Sequence, residues 1–295
     1  MIKKLLPYFI PAFICFLILA ACVSQKKVVA AWEDLRSKET QLNANEKALN
    51  DLNEQIKKKA ERNEIDDTTA VRIQRFVGVS KAEIDKLEAQ NAILEGKTTI
   101  DKSDWATIRK NLELTNELLK STADKLAMIN DLLNRTLVIK IDEDIIFEPG
   151  KYKVSAAAAQ TISKIFDPAA NEIESFVKKY PGVDLSVVIN ANGFADGTSI
   201  AEGTSLYKDI RAGIKIPNPT NKDLNKELSR LRAEEAMGLF KKYFDTRFQP
   251  GRNLKSILYT FEGKGEELPN PKISDYKIDD ERRRVVLLYW SVFPE

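Results

Sequence analysis

The sequence of 295 residues contains no histidine, and its two cysteines, Cys15 and Cys22, both lie near the beginning. Without histidine the chain has neither Ser-His-Asp nor Cys-His catalysis, and it has no zinc site with histidine ligands. The remainder of the chain lacks cysteine, which excludes a disulfide framework and a cysteine-bound metal or iron–sulfur cluster there. We therefore expect no metal site and no cofactor.

The chain also lacks a strong excess of charge of either sign. Its 46 Lys and Arg side chains nearly balance its 44 Asp and Glu side chains, which gives a net charge of +2. This balance offers no electrostatic argument for nucleic acid as a partner. The length, with 43% hydrophobic residues, allows one or two domains with buried cores.

The beginning of the chain has the pattern of a targeting segment. Lys3 and Lys4 precede an uncharged apolar run that ends in Leu19-Ala20-Ala21-Cys22. A positive segment followed by a short apolar run and small residues predicts a signal peptide, here residues 1–21. Its end resembles a bacterial lipobox, which implies that the thiol of Cys22 carries a lipid that anchors the chain to a membrane.

Two further expectations follow from this segment. Cys15 lies inside the apolar run and is removed with the signal peptide. In Gram-negative lipoprotein sorting, an Asp after the lipid-bearing cysteine retains the protein at the inner membrane. By analogy, Val23 at that position implies the periplasmic face of the outer membrane. The alternative is an uncleaved anchor helix, since residues 5–23 approach the length that spans a bilayer.

Residues 22–136 have the composition of a helical or coiled-coil spacer. From residue 26 onward this part has no proline and only Gly78 and Gly96 as glycines, which favours helix. Near its start, apolar residues at heptad spacing alternate with polar ones, which indicates a weak coiled coil or one wall of a bundle. The apolar positions are Trp32, Leu35, Leu42, Leu49 and Ile56, and the polar positions are Glu39, Glu46 and Asn53.

Two more helices are predicted in the spacer. Ser80-x-x-Glu83 has the pattern of a capping box and predicts a helix start. After Ser103, apolar residues recur by three and four, with threonine at two positions. This stripe comprises Trp105, Ile108, Leu112, Thr115, Leu119, Thr122, Leu126, Ile129 and Leu133. The glycine breaks favour a folded-back bundle or successive shorter rods. The stripe can pack within one chain or between chains, so a homo-oligomer stays open, as does a helical domain with its own ligand.

The pattern changes at Thr136 from helical to alternating, which marks a second domain over residues 137–295. Predicted strands cover residues 137–141 with 145–147, then 183–189, 254–261 and 284–292, and predicted helices cover 155–180 and 225–243. This order of strand, helix, strand, helix, strand, strand predicts an α+β fold, a sandwich with helices on one face of a mixed sheet.

Four blocks of this second domain, in the same order, resemble the OmpA-like peptidoglycan-binding family. Together they cover roughly residues 137–292, and the block from Asn225 is the most specific. The blocks are Ile145-Ile146-Phe147-Glu148-Pro149-Gly150, Gly193-Phe194-Ala195-Asp196-Gly197, Asn225-x-x-Leu228-Ser229-x-x-Arg232-Ala233 and Arg283-Arg284-Val285.

The resemblance implies a binding role for particular residues. In that family the Asp of the second block and the Arg of the third bind the diaminopimelate of the peptidoglycan stem peptide, which here implies Asp196 and Arg232. A carboxylate suits the ammonium of that amino acid, and a guanidinium grips its carboxylate in two parallel hydrogen bonds. Asn225 and Leu228 are further candidates, followed by Phe147. For Arg283 and Arg284 we expect a structural role, with pairing to acids such as Asp279 and Asp280.

The spacing of residues supports Arg232 independently. It lies four residues from Leu228 and from Ala236, in an otherwise apolar row of a predicted helix. A buried arginine needs a partner, because an isolated buried charge is costly. Asp196, in a turn after a strand, is a plausible partner, directly or through a ligand. The alternative is that Arg232 extends to solvent and Asp196 is an ordinary turn residue.

Two features depart from the family pattern. Phe194 replaces the usual His or Tyr of the second block. Residues 198–220 form a longer loop than is usual between the Asp and the Arg, and this loop is a lid, a partner site or a tolerated insertion.

The sequence thus predicts a lipid-anchored, outer-membrane protein that binds peptidoglycan non-covalently and is not an enzyme. It would tether the membrane or an envelope complex to the cell wall. An inner-membrane stator is a rival, but the apolar run of residues 5–23 has no acidic residue to carry an ion. A component of a secretion machine is compatible with the same domain. A wall-degrading enzyme would need paired carboxylates, and Asp142, Glu143 and Asp144 are instead expected to form a solvated turn.

Overall fold

A computed structural model describes residues 24–95, 97, 99–148, 150–248 and 253–295. The predicted signal peptide, the alternative anchor helix and the predicted lipid site at Cys22 lie outside these residues. Within them, no helix has both the length and the apolar character needed to cross a bilayer.

The described chain begins with three long helices and continues into a sheet with further helices. The long helices are α1, Gln25–Ala60, α2, Asp67–Glu95, and α3, Lys102–Leu133. The strands are β1, Val138–Asp142, β2, Leu185–Phe194, β3, Leu254–Gly265, and β4, Val285–Pro294. The remaining helices are α4, Glu143–Ile146, α5, Ala156–Lys179, α6, Ser205–Gly213, and α7, Asn221–Arg247, with a 3-10 turn over Glu281–Arg283.

The described chain forms two compact units whose boundary differs from the predicted one at residue 136. The first unit contains residues 24–53 and 74–127, and the second contains 54–73 and 128–295. The connection between α1 and α2 joins the second unit through hydrogen bonds. Asn63 Nδ2 donates to the carbonyl of Pro269 at 2.7 Å, and Asn190 Nδ2 donates to Asp66 Oδ2 at 3.1 Å.

In the first unit the predicted stripes are the buried faces of the helices. Leu42 and Leu49 of α1 are fully buried, as is Ile108 of α3. Two of the polar positions have partners: the Thr115 hydroxyl donates to the Asn111 carbonyl at 2.7 Å, and Lys81 Nζ lies 3.1 Å from Glu46 Oε1. These contacts satisfy polar groups in a half-polar seam.

The predicted helix start at Ser80 is wrong. α2 begins at Asp67 and continues through Gly78 and Ser80. Asp66 accepts hydrogen bonds from the backbone N–H and the hydroxyl of Thr69, which supplies the cap at the actual start. The capping pattern at Ser80 is therefore a coincidence inside a continuous helix.

The second unit is the predicted α+β fold. Its sheet has the order β1-β4-β2-β3, with β4 antiparallel to both β1 and β2, and with β3 parallel to β2. Helices α5 and α7 pack on this sheet. Aromatic side chains form much of the core between them: Phe166, Phe176, Phe240, Phe244 and Trp290 are almost completely buried.

The predicted strand at residues 145–147 is wrong for Ile145 and Ile146. After β1 the chain turns into the short helix α4, and Phe147 forms only an isolated bridge with Val154. The Glu143 N–H donates to the carbonyl of Arg284 at 3.0 Å, which holds the turn against the start of β4. This turn places Glu143 inside the unit, where it is 1% exposed.

Helix α7 approaches the sheet most closely where the strands carry glycine. A Cβ added to Gly193 of β2 would lie 2.0 Å from the Ser229 carbonyl oxygen, and one added to Gly263 of β3 would lie 2.4 Å from that of Lys226. The Ser229 hydroxyl accepts a hydrogen bond from the Gly265 N–H at 2.9 Å. The glycines and Ser229 therefore set the height of α7 above the sheet.

Replacing Gly193 with alanine should destabilise the protein, because the new methyl group overlaps the backbone of α7. We expect a decrease of about 3 kcal/mol in the free energy of unfolding in denaturant titrations, as for overpacked cores. Gly238→Ala is the matched control. Gly238 lies in α7 with no atom within 4 Å of its added Cβ, so alanine should raise stability by up to about 1 kcal/mol. Equal stability of the two variants would contradict the close approach.

Candidate binding site

A cavity of about 430 Å³ lies beside the carboxyl end of β2 and the first half of α7. Its wall contains four of the five residues predicted to bind the ligand, namely Asp196, Asn225, Leu228 and Arg232. The other described lining residues are Gly150, Lys151, Ala195, Thr198, Ser199, Ile200, Ala201, Thr204, Ser205, Leu206 and Arg284. The fold thus brings Asp196 and Arg232, which are 36 positions apart in the sequence, to the same cavity.

Asp196 is held in the cavity wall by two donors. It lies just after β2 and is 6% exposed. Its Oδ1 accepts a hydrogen bond from the Thr198 N–H at 3.0 Å, and its Oδ2 lies 3.1 Å from Arg284 Nη1. An ionised carboxylate has about four acceptor positions, so these two contacts leave capacity for a donor from the cavity.

The turn that carries Asp196 is fixed by the next residue. The Gly197 N–H donates to the Ile278 carbonyl at 2.6 Å, and a Cβ on Gly197 would lie 2.4 Å from Ile278 Cγ2. Phe194, which replaces the family's usual His or Tyr, packs in an apolar cluster with Val285 and Leu287. It contributes packing to the turn, and it does not line the cavity.

Arg232 is buried in α7, with 7% exposure, and its partner is Glu143. The predicted partner, Asp196, pairs with Arg284 instead, so the direct pairing of Asp196 with Arg232 is not found. Arg232 Nη1 donates to Glu143 Oε2, and its Nε donates to the Lys151 carbonyl at 3.2 Å. Two nitrogen atoms of the guanidinium thus have partners among the described residues.

Glu143 is the site residue that sequence reasoning missed. The acidic run of Asp142, Glu143 and Asp144 indicated a solvated turn, yet the Glu143 side chain is 1% exposed. The available signal was the requirement that Arg232 on an apolar helix face have a carboxylate partner. Because 89 residues separate Glu143 from Arg232, no local spacing connects the two.

Phe147 supports Arg232 without lining the cavity. The guanidinium carbon of Arg232 lies 5.6 Å from the centre of the Phe147 ring, a distance typical of a cation–π contact. Phe147 is 4% exposed. Phe147, which was predicted to contact the ligand, therefore contacts the Arg232 guanidinium and is not among the residues that line the cavity.

Asn225 and Leu228 both line the cavity, and each also holds its wall. Asn225 Nδ2 donates to the Thr198 carbonyl at 3.3 Å and to Glu266 Oε1 at 2.9 Å. Leu228 packs with Ile210 and Leu224 in an apolar cluster. Their contacts join the start of α7 to the chain that follows Asp196.

Arg283 and Arg284 were expected to pair with nearby acids such as Asp279 and Asp280, and the nearby acid in the described contacts is Glu281, whose Oε2 lies 3.9 Å from Arg284 Nη2. Asp280 instead pairs with Arg282, whose Nε lies 2.9 Å from Asp280 Oδ1. Arg283 has the expected structural role, since it donates to the carbonyls of Glu266, Lys277 and Ile278. Arg284 has a role at the site, because it lines the cavity and contacts Asp196.

Taken together, the cavity presents one anchored carboxylate and two guanidinium groups, those of Arg232 and Arg284. This set suits a ligand that carries an ammonium and carboxylates. Within the described ranges, no group of three or more acidic, cysteine or histidine side chains is arranged to hold a metal ion.

Glu143→Gln tests the buried pair. Glutamine keeps the shape but removes the charge, which leaves the Arg232 guanidinium buried without a carboxylate. We expect the free energy of unfolding to fall by about 3 kcal/mol. Glu281→Gln is the control, since the Glu281 side chain is 77% exposed and 3.9 Å from Arg284. It should have almost no effect, and equal stability of the two variants would show that the Arg232–Glu143 pair is not structural.

No family model and no curated protein matches the chain. Among solved structures it is similar to the periplasmic domain of Helicobacter pylori MotB, at 17% identity and a TM-score of 0.27, covering 52% of this chain and 76% of that one. It is also similar to the OmpA-like domain of FopA1 from Francisella tularensis, at 15% identity and a TM-score of 0.26. This match covers 53% of this chain and 72% of the FopA1 domain. A third similar structure is the cell wall anchor of the T6SS from Pseudomonas aeruginosa, at 16% identity and a TM-score of 0.25. This match covers 58% of this chain and 97% of the anchor structure. The functional case depends on the residues of this chain.

Proposed function

We propose that this chain is a lipid-anchored envelope protein that binds peptidoglycan non-covalently through the diaminopimelate of the stem peptide. The observation that supports this most directly is the placement of Asp196 and Arg232. Both side chains are more than nine-tenths buried, and both line one cavity. Burial strengthens the interaction of each group with an opposite charge that enters the cavity.

The free end of diaminopimelate carries an ammonium and a carboxylate on one carbon. In the proposed complex the ammonium donates to the Asp196 carboxylate, and the ligand carboxylate accepts from the guanidinium of Arg232. Each protein group is already held in position by its neighbours, Asp196 by Thr198 and Arg232 by Glu143 and Lys151. This preorganisation lowers the entropy lost on binding.

The proposed role is binding without catalysis. Recognition of a zwitterionic end needs only these charged hydrogen bonds, and it requires no cofactor, no metal and no nucleophile. We propose that lipid on Cys22 attaches the chain to the periplasmic face of the outer membrane, with helices α1–α3 lying between the lipid and the binding domain in the sequence. The chain would then tether the membrane, or a complex in it, to the cell wall.

Asp196→Asn and Arg232→Lys should each weaken binding to purified peptidoglycan that contains diaminopimelate. The first removes the negative charge, and the second keeps a positive charge for Glu143 but loses the planar fork. Loss of one charged hydrogen bond of about 1.5–3 kcal/mol corresponds to a decrease in affinity of roughly 10- to 100-fold. Co-sedimentation over a range of peptidoglycan concentrations measures it.

The matched controls are Asp279→Asn, at an exposed position, and Arg230→Lys, two residues from Arg232 on the same helix. Both should bind as the unchanged protein does. Peptidoglycan with lysine in place of diaminopimelate, which lacks the second carboxylate, should bind weakly to all variants. Undiminished binding by both site variants would refute the assignment of the site.

Cys22→Ser should abolish incorporation of labelled fatty acid in a Gram-negative host, since the serine hydroxyl does not replace the thiol as lipid acceptor. Cys15→Ser is the control, and its mature protein should carry the label because Cys15 lies in the removed segment. Detection of label on Cys22→Ser, or its absence from the unchanged protein, would refute the lipid anchor.

A further inference from the structure

The long segment between Asp196 and Arg232 forms a large part of the cavity wall. Seven lining residues come from 198–206: Thr198, Ser199, Ile200, Ala201, Thr204, Ser205 and Leu206. The segment therefore does more than connect β2 to α7. It extends the cavity from Asp196 and Arg232 toward helix α6.

This wall is tied to α7 by hydrogen bonds. The Thr198 carbonyl accepts from Asn225 Nδ2 at 3.3 Å and from Asn221 Nδ2 at 3.4 Å. The Ile200 N–H donates to Asn221 Oδ1 at 3.0 Å. Two asparagines of one helix thus fix the first half of the wall.

The second half is fixed by packing. Ile210 of α6 is completely buried against Leu224 and Leu228. The Thr204 hydroxyl accepts from the Tyr207 N–H at 3.1 Å and caps α6. Arg211, in the last turn of α6, donates to the carbonyls of Ile214 and Pro217, which follow the helix, at 2.9 and 2.8 Å. These contacts describe a wall that is held to α7 by hydrogen bonds and by packing.

The wall is continuous with the charged end of the cavity and presents polar groups to it. Thr198 donates its backbone N–H to Asp196, so the wall begins at the anchored carboxylate. Ser199 and Ser205 line the cavity with exposed side chains. A hydroxyl both donates and accepts, which suits the N–H and C=O groups of a peptide.

The size of the cavity also exceeds what the end of one amino acid needs. Its volume of about 430 Å³ lies within the range of sites that bury a drug-sized ligand. Asp196 and Arg232 account for the zwitterionic end. Apart from the Thr198 N–H that holds Asp196, the wall lies beside the space that a longer ligand would fill.

We propose that segment 198–206 binds the peptide groups next to diaminopimelate, so that the site recognises a stem peptide in preference to the free amino acid. This inference rests on the proposed function and deepens it. Ser199 and Ser205 are the specificity-determining residues, since their hydroxyls hydrogen-bond to peptide amides while Asp196 and Arg232 hold the zwitterionic end.

The test is calorimetric titration of the full-length chain in detergent with two ligands, free meso-diaminopimelate and the tripeptide L-alanyl-γ-D-glutamyl-meso-diaminopimelate. The unchanged protein should bind the tripeptide about tenfold more tightly. The double variant Ser199→Ala and Ser205→Ala should lose most of that preference and keep its affinity for the free amino acid. Ser37→Ala, at an exposed position of α1, is the control and should match the unchanged protein.

The outcomes separate this inference from the function on which it rests. Equal affinity of the unchanged protein for the two ligands would overturn the inference alone, as would a double variant that keeps the tripeptide preference. A double variant that loses affinity equally for both ligands would also overturn it, because the serines would then act on the charged end. Failure of the unchanged protein to bind either ligand would overturn the proposed function and the inference together.

Discussion

The ion pair between Arg232 and Glu143 connects the parts of the molecule that form the candidate binding site. Arg232 lies in α7, and Glu143 begins the helical turn α4 that follows the edge strand β1. The guanidinium also contacts the Lys151 carbonyl and the Phe147 ring, both in the segment after that turn. Since a buried charge without a partner is costly, this one side chain requires α4 and the chain after it to pack against α7.

The glycines of β2 and β3 determine where that side chain lies relative to Asp196. Helix α7 rests on Gly193 and Gly263, at distances that no larger residue allows. Asp196 follows three residues after Gly193 and is fixed by Thr198 and Arg284. Because Asp196 lies only three positions after Gly193, the same end of β2 positions both the helix α7 and the turn that carries the carboxylate. Close packing therefore serves the geometry of the site as well as stability.

The sequence predicted which residues line the cavity more accurately than it predicted which ion pairs those residues form. The blocks around Asp196 and Arg232, together with the apolar row of α7, were sufficient to select four residues that line one cavity. Partners were harder because ion pairs connect residues 88 and 89 positions apart, and several acids were available for each arginine. The start of α2 was missed because Ser80-x-x-Glu83 matches a capping box, whereas the helix runs from Asp67 through Ser80 and its start is capped by Asp66. The role of residues 198–206 depends on Asn221, Asn225 and Ile210, whose contacts no local pattern specifies.

The central claim is that Asp196 and Arg232 hold the two charges of one ligand end, and nitrogen-15 NMR during titration with meso-diaminopimelate tests it most directly. The backbone N–H of Thr198, which donates to Asp196, and the Nε–H of Arg232 report on the two groups separately. The account predicts that both signals shift together and saturate at the same ligand concentration, while the backbone N–H of Ser37 in α1 does not move. Unchanged signals at Thr198 and Arg232, or shifts confined to other parts of the chain, would contradict it.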